Sequence, residues 1–170
     1  MSFTDNQTWF TILLVIHVFF AIAGIGPSFA FAVMGPMAAK NPEGALWIVR
    51  AMSKVENATV KPVAWTIQWI SGTLLIFNRS AIRSNFWKEE WLVIAIVLYA
   101  IILVISILNE KELHAMIAHM EAGTAGTPAF GASAKRTAMF GQIMTLFTVV
   151  IIILMVWKPL SECVGTVLRC

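Results

Sequence analysis

The sequence has few charged residues and few cysteines, and its apolar runs are long. Charged residues make up 12% of the 170 positions and apolar residues 59%, and the mean hydropathy is +0.81. An ordinary soluble domain carries roughly 25% charged residues. These values exclude a soluble globular protein and indicate an integral membrane protein. The net charge of +3 is small and the basic residues are scattered, so nucleic-acid binding is not expected.

Motifs for common catalytic and metal chemistries are also lacking. The chain contains no CxxC pair, no HExxH zinc motif, no phosphate-binding loop and no nucleophile elbow. Its two cysteines, Cys163 and Cys170, lie in the tail, with too few other ligands nearby for a metal site. We interpret them as incidental, with a disulfide in the tail as the alternative.

Four apolar segments organise the chain, at about residues 9–36, 45–78, 91–121 and 135–158. A bilayer crossing needs about 20 apolar residues, and the first segment exceeds this length without one charge. The sequence therefore predicts an all-α, integral membrane four-helix bundle that forms a single domain over residues 1–170. Helices two and three are longer than a bilayer requires, so we expect both to extend beyond it on one side, with a kink at Pro62.

Four crossings place both termini on the same side of the membrane. Tryptophans typical of a membrane border lie at helix ends on this side, namely Trp9, Trp87, Trp91 and Trp157. Seven of the twelve basic residues lie on the opposite side and five on the terminal side. This difference favours termini outside and the helical extension in the cytoplasm.

His17 is the only ionisable residue in the first apolar segment, and small residues continue its helix face through Ala21, Gly24 and Ser28. An ionisable side chain in a membrane helix is costly and usually faces the bundle interior. Three interpretations stay open: a hydrogen bond between helices, an axial ligand to haem iron, or a proton or ion relay. The small residues permit either close helix packing or a flat cofactor beneath the imidazole.

A second polar face is expected on helix two, where Lys61, Trp65, Gln68 and Gly72 recur at helical spacing. This face either bonds a neighbouring helix, with Lys61 reaching the membrane border, or meets the His17 face and lines a cavity. On the terminal side, Arg79, Arg83 and Lys158 lie at the depth that a haem propionate would reach from His17. Ordinary border anchoring produces the same arrangement.

The remaining histidines do not complete a site with His17. His114 and His119 are five residues apart and on the opposite side of the membrane, so we expect them in solvent. Met155 on helix four is a conceivable sixth haem ligand, but an apolar helix more often uses methionine to fill its core. A five-coordinate haem or sites shared across a homodimer are the alternatives.

Three stretches carry a resemblance to a known family: HVFFAIAGIGPSFAF in helix one, KPVAWTIQWISG in helix two and the closing MVWKP. They resemble a bacterial family of predicted four-helix integral membrane proteins of unknown function. That family is distantly similar to the HemJ-type protoporphyrinogen oxidases and to the membrane domain of the copper-resistance protein CopD. The HemJ resemblance implies haem binding at His17. HemJ proteins pair that histidine with an arginine and a tryptophan, where this sequence has Val18 and Phe19, so it implies haem rather than oxidase activity.

The sequence thus predicts a b-type haem protein of the bacterial cytoplasmic membrane, active in electron transfer or a haem-linked redox step. His17 would ligate the iron, and the expected haem-binding residues are His17, Gly24, Trp65, Gln68, Arg79 and Lys158. We expect the bilayer and a homodimer or larger bioenergetic complex as partners. The alternatives are a cofactor-free accessory subunit and, with less support, a small-molecule or metal-ion transporter.

Overall fold

The computed structural model describes residues 3–157, except for the side chains of residues 25, 28, 32, 39, 42, 59 and 65. The described part is helical, without strands. Six α-helices follow in order: α1 (Gln7–Lys40), α2 (Pro42–Val55), α3 (Gln68–Asn78), α4 (Ser80–Ser84), α5 (Glu90–Glu121) and α6 (Pro128–Trp157). Two π-helical turns, Glu56–Val60 and Val63–Ile67, join α2 to α3, and a 3₁₀ turn, Phe86–Lys88, precedes α5.

Helix α1 begins and ends at asparagine caps. The Asn6 side chain accepts hydrogen bonds from the backbone N–H groups of Thr8 and Trp9, which have no partner within the helix. Two prolines lie inside α1, and the helix continues past Pro36 to Lys40, beyond the predicted end at residue 36. Asn41 then caps both helices, because its N–H bonds Met37 O and its side chain accepts from Gly44 N. Helix α2 therefore starts directly after α1.

Residues 42–78 form one continuous helical path, which we call the second path. The π turns lie on either side of Pro62, which has no N–H to donate to the preceding turn. Each π turn closes with an i to i+5 bond, from Lys61 N to Glu56 O and from Gln68 N to Val63 O. A π turn holds one extra residue and so rotates the following side chains by about 100° relative to an α-helix.

The turn between α5 and α6 is short, because the residues there favour the end of α5 and the start of α6. Gly123 lies just after α5 with φ +68°, a left-handed conformation that glycine adopts without penalty. Pro128 occupies the first turn of α6, and the Thr127 hydroxyl oxygen accepts from Phe130 N. Helix α6 therefore begins at Pro128 rather than near Lys135, so residues 128–134, which precede the predicted fourth segment, are helical.

Two buried apolar clusters mark the two ends of the molecule. At one end, which we call the terminal end, α5 and α6 pack through Trp91, Leu92, Ala95 and Leu154. At the other, the extension end, α1, α2 and α5 pack through Ala38, Ala45, Ile48, Val49 and Leu113. The second path runs from the extension end to the terminal end, where Asp5 N donates to Asn78 O over 2.6 Å. Both ends of the described chain thus lie at the terminal end.

Three helices are long and apolar enough to cross a bilayer: Gln7–Ala38, Glu90–Glu121 and Pro128–Trp157. Their large apolar side chains point mostly outward, as expected of helices whose solvent is lipid. The second path is not among these three, because the π turns divide it into shorter α-helical pieces and its first half is amphipathic. A fourth crossing by residues 63–78 stays a prediction.

Candidate functional site

His17 on α1 meets the second path directly, and both of its ring nitrogens have partners there. Nδ1 lies 2.8 Å from the Ser71 hydroxyl oxygen, and Nε2 lies 2.9 Å from the amide nitrogen of Gln68. The imidazole is half-buried and Ser71 is almost fully buried. We call these three residues the His17 cluster. It is a polar contact between two helices in the interior of a membrane protein.

The hydrogen-bond directions in the His17 cluster fix the tautomer of the imidazole. The Ser71 hydroxyl donates to Ile67 O over 2.7 Å, so its oxygen is free to accept from His17 Nδ1–H. The atom of Gln68 that faces the ring is its amide nitrogen, which can only donate, so His17 Nε2 accepts. This assignment rests on the network, and it makes His17 a neutral imidazole protonated on Nδ1.

Glycines let the helices approach closely on both sides of this contact. A Cβ on Gly72 would lie 3.2 Å from His17 Cε1, and a Cβ on Gly24 would lie 3.1 Å from Val63 Cγ1. Both distances are shorter than ordinary van der Waals contacts, so an alanine at either position would force its neighbour to shift by a few tenths of an ångström. Small residues at such positions bring membrane helices together. The face below His17 therefore packs against the second path.

This packing also tests whether a haem fits. A porphyrin needs a slot beside the imidazole, but Gly72 lies against the ring and Val63 lies against Gly24. The iron-binding nitrogen would be Nε2, which already accepts from Gln68. The residues present do not fit a haem in this packing, since α1 and residues 63–72 would first have to separate.

The predicted polar face of the second path divides between two neighbours. Gln68 and Gly72 lie against His17, whereas Lys61 forms an ion pair with Glu110 on α5 and donates to Asn57 Oδ1 over 2.8 Å. The π turn Val63–Ile67 lies between Lys61 and Gln68, so the two side chains do not share the α-helical face that their spacing predicts. Lys61 is therefore paired between helices rather than extended to the membrane border.

Arg79 lies at the terminal end, in contact with the start of α1. Its guanidinium donates to Gln7 Oε1 over 2.7 Å and stacks 4.1 Å from the centroid of the Phe10 ring. These contacts dock the second path onto α1 and account for Arg79 without a ligand. Of the other predicted site residues, Lys158 and the Trp65 side chain lie outside the described residues, as do Cys163 and Cys170.

The other metal-ligand candidates lie apart from His17. His114 is exposed, and His119 bonds the hydroxyl of Thr124 in the turn after α5. Met155 is 37% exposed on the outer surface of α6 rather than in the core. Within residues 3–157, no group of three or more histidine, cysteine, aspartate or glutamate side chains could hold a metal ion.

Sequence reasoning missed two polar contacts that join the helices. Ser71 stands next to Gly72 and one turn after Gln68, so its position on the face toward His17 could have been found from spacing alone. Tyr99, the only tyrosine, donates to Ala64 O over 2.5 Å, and Ala64 lies in the second π turn. No sequence signal indicates this bond, because it depends on a local departure from α-helical geometry.

Comparison with known proteins identifies the family of the chain. The family model described as "Predicted integral membrane protein (DUF2269)" matches residues 11–159. No curated protein and no solved structure gives a significant match. The matched range includes the His17 cluster, the second path, and α5 and α6, and covers well over half of the sequence. The chain therefore belongs to this family of predicted integral membrane proteins, DUF2269.

Proposed function

We propose that this protein is an accessory subunit of a membrane assembly, in which His17 joins helices and binds no cofactor. The observation that carries the proposal is the continuous hydrogen-bond chain from the amide nitrogen of Gln68 through His17 and Ser71 to Ile67 O, which engages both ring nitrogens of His17. Hydrogen bonds between membrane helices contribute about 0.6 kcal/mol each on average, so they hold helices in register rather than drive chemistry.

The outer surface supports a role in packing. Val15, Phe19 and Ile22 of α1 are each more than 60% exposed, and large apolar side chains of α5 and α6 point outward in the same way. In a bilayer such faces contact lipid tails or the helices of a partner. An accessory subunit needs this long apolar exterior together with an interior that keeps its shape.

The proposal includes four crossings. The second path reaches from the extension end to the terminal end, and its apolar half, residues 63–78, lies beside α1 and Tyr99 of α5. Orientation with the termini outside, in a bacterial cytoplasmic membrane, is part of the same proposal and follows from the distribution of basic residues.

A b-type haem protein is the second candidate, and one observation favours it. A histidine that ligates a metal usually donates its other ring N–H to an oxygen partner, which orients the ring. Ser71 is such a partner for Nδ1. In this candidate His17 would hold the iron, which requires that α1 and residues 63–72 separate. Haem would supply electron transfer, and the distant HemJ resemblance points the same way.

An absorption spectrum separates the two candidates. The protein would be expressed with ample haem supply, purified in detergent, and measured oxidised and after dithionite reduction. We expect a folded, colourless protein. A Soret band that disappears in His17→Ala and persists in His114→Ala would overturn the accessory proposal and establish the haem protein. His114→Ala is the matched control because His114 is exposed and distant from the His17 cluster.

The accessory role has its own test. Native purification from membranes in a mild detergent should retain a larger membrane complex containing this chain. Elution only as a lone chain, or as a homodimer, would count against that role even if the protein is colourless.

A further inference from the structure

A second group of buried polar side chains lies at the extension end, far from the His17 cluster. Ser53, Glu56 and Asn109 are 8%, 7% and 8% exposed, respectively. Glutamate and asparagine are rarely buried to this degree unless they are partnered. Glu56 is also the first residue of the first π turn. Neither the fold nor the proposed function accounts for a buried carboxyl here.

The packing brings these side chains to one interface. Val49 of α2 and Leu113 of α5 belong to the same buried cluster. Ser53 and Glu56 follow Val49 by one and two helical turns, and Asn109 precedes Leu113 by one turn. The two helices run in opposite directions, so all three polar side chains face the same interior region next to the cluster. The proximity of Glu110 and Lys61, whose charges act on Glu56, supports this placement.

The polar atoms in this region are short of donors. Asn109 Oδ1 is buried and has no hydrogen-bond partner among the described residues. The Glu56 carboxyl makes no hydrogen bond or ion pair within the part of the chain that the structure describes, and the nearby Lys61 ammonium instead contacts Glu110 and Asn57. An ionised carboxylate and an amide oxygen can each accept a hydrogen bond, but neither can donate one. If the Glu56 carboxylate faces Asn109 Oδ1 in this interior region, neither group supplies a donor to the other, and a proton on the carboxyl would provide one.

We propose that Glu56 is a proton-binding site whose neutral carboxyl donates a hydrogen bond to Asn109 Oδ1, between the second path and α5. The proton comes from a hydronium ion at the extension end and binds to one carboxylate oxygen of Glu56. One O–H bond of the hydronium ion breaks as the new O–H bond forms, a water molecule is released, and no electron is transferred. The ligand is a proton rather than a metal cation, because the ammonium group of Lys61 lies close by and repels a second cation.

The electrostatic environment agrees with this assignment. Burial raises the pKa of Glu56, Glu110 raises it further, and the Lys61 ammonium opposes both. The other charged side chains nearby are paired or exposed. Glu112 pairs with Arg136 of α6, Lys54 is exposed, and residues 18–39 of α1 have no ionisable side chain. The folded protein therefore favours the uncharged form of Glu56 more than the unfolded chain does.

The raised pKa of Glu56 determines how the stability of the folded protein depends on pH. A carboxyl whose pKa is raised on folding holds its proton more tightly in the folded state than in the unfolded one. Its ionisation therefore costs stability above the folded pKa, and the cost disappears below the usual glutamate value of about 4.3. The unfolding equilibrium constant changes by about tenfold for each pKa unit between the two states.

The experiment measures thermal unfolding in detergent micelles from pH 4 to pH 9, for the wild type, Glu56→Gln and Glu43→Gln. Glutamine mimics the neutral carboxyl and can donate to Asn109 Oδ1. We expect Glu56→Gln to match the wild type at low pH and to melt at a higher temperature at high pH. Glu43→Gln should follow the wild-type profile, because Glu43 is exposed on α2. Parallel wild-type and Glu56→Gln profiles would overturn the proposal.

Infrared spectroscopy keeps the proposal testable if Glu56→Gln does not fold. The wild type should show the C=O stretch of a hydrogen-bonded carboxylic acid at neutral pH. In Asn109→Leu, which lacks the acceptor, this band should shift to the frequency of a free acid. A neutral-pH spectrum without such a band, or a melting temperature that depends on sodium concentration and not on pH, would contradict proton binding.

Discussion

Replacement of Gly72 with alanine would place a methyl group 3.2 Å from Cε1 of His17. Two opposing effects decide the outcome. Alanine in a helix interior is more favourable than glycine by about 0.5–1 kcal/mol. The methyl group, however, must push the imidazole away by a few tenths of an ångström. The bonds to Ser71 and Gln68, now 2.8 and 2.9 Å, would lengthen.

The magnitude follows from the two hydrogen bonds. At about 0.6 kcal/mol each, their complete loss would cost about 1.2 kcal/mol, about 0.2–0.7 kcal/mol more than the gain from alanine, and a partial weakening would cost less. In a His17→Ala background the space beside position 72 is open, and the full gain should appear. We therefore expect Gly72→Ala to be neutral or slightly destabilising alone, and stabilising by about 0.5–1 kcal/mol when combined with His17→Ala.

Equilibrium unfolding in mixed micelles, followed by tryptophan fluorescence, would measure these differences. The matched control is Gly141→Ala on α6, where an added Cβ meets nothing within 4 Å. This control should be equally stabilising in both backgrounds. If Gly72→Ala stabilises the protein by the same amount with and without His17, then His17 does not lie against Gly72, and the contact between α1 and the second path is misplaced.

Two further predictions test other contacts. Tyr99→Phe removes the donor to Ala64 O and should lower the free energy of unfolding by about 0.6–1.7 kcal/mol in the same assay. A decrease below about 0.3 kcal/mol, roughly half the average for such a bond, would show that the π turn does not depend on this hydrogen bond. Asp5, whose pKa is lowered by hydrogen bonds from Ser80, should hold the chain start to Ser80 N above about pH 4 and release it as the pH falls through its folded pKa. The Ser80 amide resonance should therefore move on acidification in the wild type but not in Asp5→Asn, and movement in both would assign the effect to another group.

Much of the helical content could be predicted from the sequence, because in lipid only a long apolar segment with internal backbone hydrogen bonds can span. The start of α5 and the membrane-crossing nature of α1 follow from this rule. The start of α6 at Pro128 could also have been predicted, since a threonine followed by a proline is a common helix start. It was missed because the glycine-rich composition of residues 122–134 is typical of a loop.

The candidate site was only partly predictable. The importance of His17 follows from the sequence alone, since it is the one ionisable residue among the 28 residues 9–36 and needs a partner there. The identity of that partner does not, because the π turns around Pro62 rotate the second path. Spacing grouped Lys61 with Gln68, whereas the rotated helix turns Lys61 toward α5 and Gln68 toward α1.

The sequence by itself determined that this is an integral membrane protein, since hydropathy and length are properties of the chain and the bilayer. The tertiary structure decided what the small residues beside His17 do. A glycine permits a close helix or a flat cofactor equally well, and only the position of the neighbouring helix distinguishes them. Here Val63 and the imidazole occupy the space beside Gly24 and Gly72, so the face is a helix contact.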